Sequence, residues 1–518
     1  MSLLTDTPID VLAAPDADGD ILVWPDARAL PALVEENRRL LSGAEAMLVD
    51  RPLREWRRLS RGDDTVILAG HQPEFIHPGV WAKHPAVVAL ARVVGARAQY
   101  LLVDSDVPLR FGLAWPEQVD GRLRRGWASP GVGGSGASFE RFPPLSGGAW
   151  RQFLDQVPNA GESSFKDFAD AFATERPADY VDRWVLGMTA VEGAVDTGSP
   201  EFVRVSEVFG GRGVFRADVP AFIVHLLLNA RRFAAEYNAA LARYRARRGM
   251  AGNQHPIPDL HESSESIELP FWVVCRDQPR RRLFVSTSGT GALTLRAADE
   301  VIVELDATRL QSDATSLAGL MPEGIGLRPR ALALTMYARL LACELFIHGI
   351  GGAKYDQITD DIIRGFFGTA APAYACVTAT LRLPLARYGV SAGDVRAARR
   401  RLRDIRYNPQ RFLDGADATL FKGLLAERQS AIRAAESLRA SAPLDRMARR
   451  HGFDRIRAAN QAMLAALPGV ETRLRQEAAR LNEQLANNVI SWSREWFVAL
   501  HAPARLRELA ERVATAVH

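Results

Sequence analysis

The chain has 518 residues, 47% of them hydrophobic and 24% charged, with a formal net charge of +4, values that fit a globular protein of two or three domains. So small a charge surplus gives no special support to nucleic-acid binding. No apolar run approaches the roughly 20 residues of a membrane span, and the start MSLLTDTPID carries acidic residues where an export signal carries basic ones.

Three cysteines, Cys275, Cys343 and Cys376, lie far apart without a CxxC pair, which argues against a disulfide framework and a thiolate zinc site. The expectation is a cytoplasmic protein acting on a small molecule. Of 65 basic residues only Lys83, Lys166, Lys354 and Lys422 are lysine. A position that keeps a compact ammonium in so arginine-rich a chain is a candidate for chemistry.

In chain order, residues 1–60 read as an N-terminal extension packing onto the core, with a helix around Ala29 to Leu41. TVILAG, from Thr65, is a short buried strand. The loop HQPEFIHPG, the helical pattern VWAKHPAVVALARVVGA and the strand QYLLVDSD follow it. Strand, loop, helix and strand within about 40 residues predict a right-handed parallel crossover, the unit of Rossmann-like α/β domains.

Residues 120–150 are rich in Gly, Ser and Pro and read as a surface loop within an insertion near 120–200. Helical signal returns over 150–190 and from Ile223 to Arg247. Strands are expected at 271–275, 282–287 and 300–305, then a helix around Pro329 to Leu341, the apolar run CELFIH and the loop GIGGAKYD. Beyond about Gly393 the chain turns Arg-, Ala-, Leu- and Glu-rich, with Pro443 and Pro468 as breaks. Val470, Leu474, Leu481 and Leu485 take coiled-coil spacing. The organisation expected is an extension (1–60), a Rossmann-like core (61–390) and a helical coiled-coil domain (391–518).

Three constellations carry the candidate chemistry. In the first, Gly70, His71, Gln72, Glu74, His77, Trp81 and Lys83 follow a parallel strand, where open α/β sheets bind ligands and a helix N-terminus favours phosphate. Asp104 and Asp106, at the next strand end, are placed to hold magnesium or an amine. In the second, HPIPDLHESSESIELPFW sets His255 and His261 beside Glu262, Glu265 and Glu268. In the third, His348, Gly349, Gly351, Gly352, Lys354, Tyr355 and Asp356 repeat the phosphate logic without a Walker sequence. His71, His77, Lys83 and Lys354 are the expected catalytic residues. A polar turn is the alternative at each place, and zinc stays open through His71, His77 or His84.

These stretches resemble a family. GHQPEFIHPGVWAK (70–83) is similar, through Gly70, Gln72, Pro73, Pro78 and Lys83, to the GQQPGxxxGPxYxxxK loop of the cysteine-adding enzymes of bacillithiol biosynthesis. VDSD, EYNAAL, ELPFW and LRPR follow in that family's order, and GIGGAKY occupies the place of its GGPxExxY loop. His71, Glu74, Trp81, His348 and Lys354 depart from the pattern, which marks a divergent member. The opening motif also resembles the HQPxxxPxxGxxxK start of WbqC-like proteins.

The resemblance implies a core related to class I nucleotidyltransferases, a coiled-coil domain and a homodimer. It implies a ligase that joins cysteine or a similar amino acid to a sugar amine, with ATP and magnesium as cofactors. The alternatives are a histidine-rich metal-dependent transferase or hydrolase on the same fold, and a non-catalytic coiled-coil scaffold.

Overall fold

The computed structural model describes residues 8–132, 136–158, 163–176, 178–210, 217–252, 255–275, 278–287, 291–413, 419, 421–441, 445–467 and 469–518. Gly133, Gly134 and Ser135 of the glycine-rich stretch, and the breaks at Pro443 and Pro468, lie outside them. The chain divides into two compact units, residues 1–115, 126–383 and 494–518 in the first and residues 116–125 and 384–493 in the second.

In the first unit β1 (Ile21–Trp24), α1 (Leu30–Ser42) and α2 (Leu53–Arg61) precede β2 (Val66–His71), α3 (Lys83–Val94) and β3 (Arg97–Leu102). After helices that include α4 (Tyr180–Val195), the chain forms β4 (Glu201–Arg204), α5 (Asp218–Leu228) and α6 (Ala230–Arg248). Five strands then make a second sheet: β5 (Ile267–Cys275), β6 (Arg281–Thr287), β7 (Ala292–Ala297), β8 (Glu300–Asp306) and β9 (Ile325–Pro329). α7 (Ala331–Tyr337), β10 (Leu345–His348), α8 (Ile350–Ile362) and β11 (Tyr374–Ala379) return to the first sheet.

The first sheet has the order β1-β11-β10-β2-β3-β4. Every pair in it is parallel except β1 on β11. The expected mixed α/β fold with a parallel sheet is therefore present, and the strand–loop–helix–strand reading of 65–106 is its centre. Ile67, Leu68 and Ala69 are at most 3% exposed, as both-face burial of a parallel strand requires. Gly70 ends the run because a Cβ there would stand 2.8 Å from the Leu101 carbonyl oxygen of the neighbouring strand.

The strand order runs outward from β2 through β3 to β4 and, on the other side, from β10 to β11. The direction of winding reverses between β2 and β10, the place where such sheets open a crevice at their carboxyl edge. The second sheet is antiparallel throughout, in the order β8-β7-β6-β5-β9. Phe222, Phe271, Leu327 and Tyr337 share one buried cluster with Val66 and Leu68.

Several expectations are corrected. Residues 1–60 supply an edge strand of the main sheet as well as packing helices, because Ile21–Trp24 pairs in register with Cys376–Ala379. The stretch read as loop from 120 contains half of a hairpin, Leu113–Val119 with Arg122–Ala128. The helix expected from Ile223 to Arg247 is two helices broken at Asn229. GIGGAKYD is not a loop before a helix near Tyr355: α8 already begins at Ile350, with Gly349 as its N-cap.

In the second unit α9 (Ala392–Tyr407), α10 (Lys422–Ser441), α11 (Arg446–Ala465) and α12 (Val470–Ser491) pack as antiparallel pairs. Arg399 reaches Asn482 at 2.6 Å and Arg406 reaches Glu471 at 2.7 Å, pairing α9 with α12 head to tail. Arg428 to Asn460 and Arg455 to Glu427, both 2.7 Å, do the same for α10 and α11. Leu474 of the expected seam is buried, while Val470, Leu481 and Leu485 are half-buried. The helical domain expected to run to the C-terminus stops at Ser493. α13 (Pro503–Val517) belongs to the first unit, where its buried Leu506, Leu509 and Val513 form the face that packs on α3.

Candidate active site

A cleft of about 770 Å³ opens at the carboxyl edge of the parallel sheet, where β2 and β10 end. Gly70, His71 and Gln72 line it at the end of β2, Ser105 and Asp106 after β3, and His348 to Gly352 at the end of β10 and the start of α8. The second sheet contributes Trp272, Arg280, Arg282 and Arg330, and Arg494 enters from the C-terminal segment. Lys83 and four arginines line the cleft with one carboxylate, Asp106, and buried Glu268 pairs with Arg282 and Arg330, so the arginines outnumber these carboxylates by two. The excess favours an anionic ligand.

Local anchors fix the first loop. Phe75 turns away from the cleft into an aromatic cluster, its ring 5.3 Å from that of Phe497 and 5.6 Å from that of Phe111. His77 N-caps a short turn by accepting the Gly79 N–H at its Nδ1 (3.0 Å), so the neutral ring carries its proton on Nε2. Nδ1 of His71 is 3.0 Å from the Gln72 carbonyl oxygen, which assigns its proton to Nδ1 and leaves Nε2 as an acceptor. Burial, then the charge of Lys83, lowers the His71 pKa to about 3. Burial, then Arg494 and Lys83, lowers that of His77 to about 4.

Both rings therefore stay neutral in the folded protein while an unfolded histidine titrates near 6.5. Below that value the unfolded state binds protons that the folded state refuses, so stability is present above about pH 6.5 and is lost as the pH falls toward 3–4. Each ring contributes a slope of up to about 1.4 kcal/mol per pH unit. A His71→Gln/His77→Gln double variant is expected to flatten the acid limb of the denaturation midpoint against pH; an unchanged limb would count against the assignment.

Lys83, at the first position of α3, is 2% exposed. Its Nζ donates to the Gly70 carbonyl oxygen (2.5 Å) and lies 5.4 Å from the centre of the Tyr100 ring. Among the described residues it has no carboxylate partner, and burial lowers its pKa to about 7.

The third constellation builds a different device from the one expected. His348 Nε2 lies 2.9 Å from Asp356 Oδ2, and Arg339 donates to the same oxygen at 2.7 Å. Burial works to raise the Asp356 pKa, but the Arg339 guanidinium and the hydrogen bond with His348 outweigh it and hold the group ionised. The carboxylate then fixes the histidine proton on Nε2 and leaves Nδ1 as a base. Nδ1 faces Gly352, where a Cβ would come within 2.8 Å. Among the described residues, no side chain caps the N-terminus of α8, and its Ile350, Gly351 and Gly352 line the cleft. Free N–H groups at a 13-residue helix make an anion cradle.

Other expected residues stand elsewhere. Asp104 is fully buried and accepts the backbone N–H of Ser206 (2.9 Å) and its hydroxyl. Burial raises its pKa to about 6, and only Asp106 of the expected pair lines the cleft. Asp106 accepts Gln72 Nε2 (2.9 Å) and pairs with Arg280 (3.0 Å). Trp81 is wholly buried, while Glu74 and Lys354 do not line the cleft. Tyr355 is 44% exposed, with its ring 6.3 Å from that of Tyr244. The cause is the early start of α8: at about 100° per residue, the positions after Gly352 rotate off the cleft face.

In the second constellation Glu268 is fully buried and pairs with Arg330 (2.5 Å) and Arg282 (3.5 Å). His84 also leaves the cleft, its ring buried against Glu192 and 4.2 Å from that of Tyr100. Among the described residues no three His, Cys, Asp or Glu side chains group as metal ligands, so the zinc reading has no donor set there. No described helix is long and apolar enough to cross a membrane.

Arg280, Arg282 and Arg494 escape sequence reading because nothing distinguishes them among the chain's many arginines, while Arg330 is the last residue of the LRPR motif. Arg494 reaches its place by donating to the hydroxyls of Thr380 (3.0 Å) and Thr378 (3.3 Å) at the carboxyl end of β11. No protein-family model matches the chain, and no curated protein matches it.

Proposed function

We propose that the chain is a group-transfer enzyme of the carbon–nitrogen ligase type, which binds the phosphates of a nucleotide at the N-terminus of α8. The observation that carries this reading is the open, glycine-lined helix start at the sheet's switch point, within a cleft of excess positive charge. Arg494 and the Gly351 and Gly352 N–H groups hold phosphate. His348, oriented by Asp356, takes a proton from the attacking amine.

In the bond-forming step the amine nitrogen attacks an activated acyl carbon. The bond from that carbon to the phosphate oxygen breaks, the phosphate leaves with the electron pair, and an amide results. Asp106 is the carboxylate of the cleft that would help to hold a magnesium ion accompanying the nucleotide, which would offset the phosphate charge. Cysteine or a similar amino acid and a sugar amine are the substrates favoured by the motif resemblance, which likewise supports a relation to nucleotidyltransferases and a coiled-coil homodimer.

Calorimetric titration with ATP and magnesium tests the nucleotide part. Saturable binding is expected in the wild type and loss of it in Gly352→Val, whose side chain would fill the space beside His348. Heat that never saturates, or equal affinity in the variant, overturns it. Mass detection of an amide formed from cysteine and glucosamine only when ATP is present tests the transfer.

A further inference from the structure

We propose that Lys83 is a nucleophile that condenses with the carbonyl carbon of a small 2-oxo acid in this cleft, forming an imine. The inference shares the cleft with the proposed nucleotide site but does not rest on it.

The argument begins from how a buried amine is satisfied. An ammonium removed from water is held charged most strongly by a neighbouring carboxylate, and among the described residues Lys83 has none. The charged and titratable groups around it are His71 from β2, His77 from the following loop, Tyr100 from β3 and Cys376 from β11. Burial holds Tyr100 and Cys376 protonated and keeps both histidines neutral. Of that set only the Tyr100 ring face, 5.4 Å from Nζ, and the Cys376 thiol favour a cation, and burial outweighs them. The Gly70 carbonyl needs one N–H from Lys83, which a neutral amine also supplies, so the nitrogen keeps its lone pair while held in place.

The remaining parts of an imine site stand in the same wall. His71, one residue beyond the carbonyl that anchors Lys83, presents an unprotonated Nε2. Arg494 and the start of α8 supply partners for the carboxylate of an oxo acid. In the reaction the lysine nitrogen attacks the carbonyl carbon, and the C=O electron pair moves to oxygen. The two nitrogen protons pass in turn through His71 to that oxygen, the first making a hydroxyl and the second letting it leave as water, and the C=N bond closes without an oxidant or reductant.

The four lysines of the chain make the test internally controlled. The full chain is incubated with glyoxylate and cyanoborohydride at pH 7, and the carboxymethyl group left by reduction is located by peptide mapping. Lys83 is expected to be labelled at least about tenfold faster than Lys166, which is fully exposed and held charged by Asp170. Its labelling rate should level off just above neutral pH while that of Lys166 keeps rising. Lys83→Arg should abolish that label and leave Lys166, Lys354 and Lys422 labelled at wild-type rates. Labelling of Lys166 ahead of Lys83, or Lys83 unmodified once the other lysines are saturated, overturns the proposal. Neither result bears on ATP titration, so the two readings fail separately.

Discussion

Replacing Glu344 with alanine is expected to lower the unfolding free energy of the first unit by about 3–5 kcal/mol, the cost of removing one partner from a buried ion pair. Glu344 stands at the amino end of β10, with its side chain 3% exposed. It pairs with Arg57 at 2.7 Å and with Arg61, and accepts the Val66 N–H at 2.8 Å where β2 begins. Burial would raise its pKa, but Arg61 and Arg57 outweigh that and hold it below the usual carboxylate range. Arg57 is itself lowered to about 10, by burial and then by Arg61.

Without the carboxylate, two guanidiniums no more than 9% exposed face each other uncompensated. Urea denaturation followed by circular dichroism measures the loss. A cost under about 1 kcal/mol would mean that the guanidiniums relax into the arginine-lined groove of about 1070 Å³ beside them. An isosteric Glu344→Gln keeps the shape and loses the charge, separating the ionic contribution from packing.

Arg494→Gln is expected to weaken binding of ATP, or of pyrophosphate alone, by about 10²-fold. Truncating one partner of a desolvated charge contact costs about 2–5 kcal/mol, and each 1.4 kcal/mol is tenfold in affinity. Arg494 is the cleft arginine without a carboxylate partner among the described residues, whereas Arg280 is paired with Asp106, and Arg282 and Arg330 with Glu268. Its charge is therefore the one most available to a ligand. Lys354→Ala is expected to bind as the wild type does, since that side chain does not line the cleft. Equal affinity in Arg494→Gln and the wild type would move the phosphate site away from this wall.

What could be read along the chain is what short-range physics dictates. The apolar run TVILAG, the two-proline loop after it and the helix beginning at Lys83 sit within 20 residues of one another, so periodicity and turn chemistry suffice to place them. The parallel crossover follows from chain handedness. The same locality made Gly70, His71, Gln72, His77, Lys83, Asp106, His348, Gly349, Gly351 and Gly352 legible, and all of them line the cleft.

Tertiary structure decided everything that depends on partners distant in sequence. Asp104 and Asp106 are two residues apart and chemically alike, yet Ser206 draws one inward and Gln72 with Arg280 holds the other at the cleft. Lys83 and Lys354 are equally lysine, but the first is buried without a carboxylate partner among the described residues, and one turn of α8 carries the second away. Arg494 and Ile21–Trp24 join the first unit from opposite ends of the chain. Backbone preference and hydrophobic period act over a few residues and are written in the order of the amino acids. The protonation state and the direction of a side chain are set by whatever packs against it, and only folding brings those groups together.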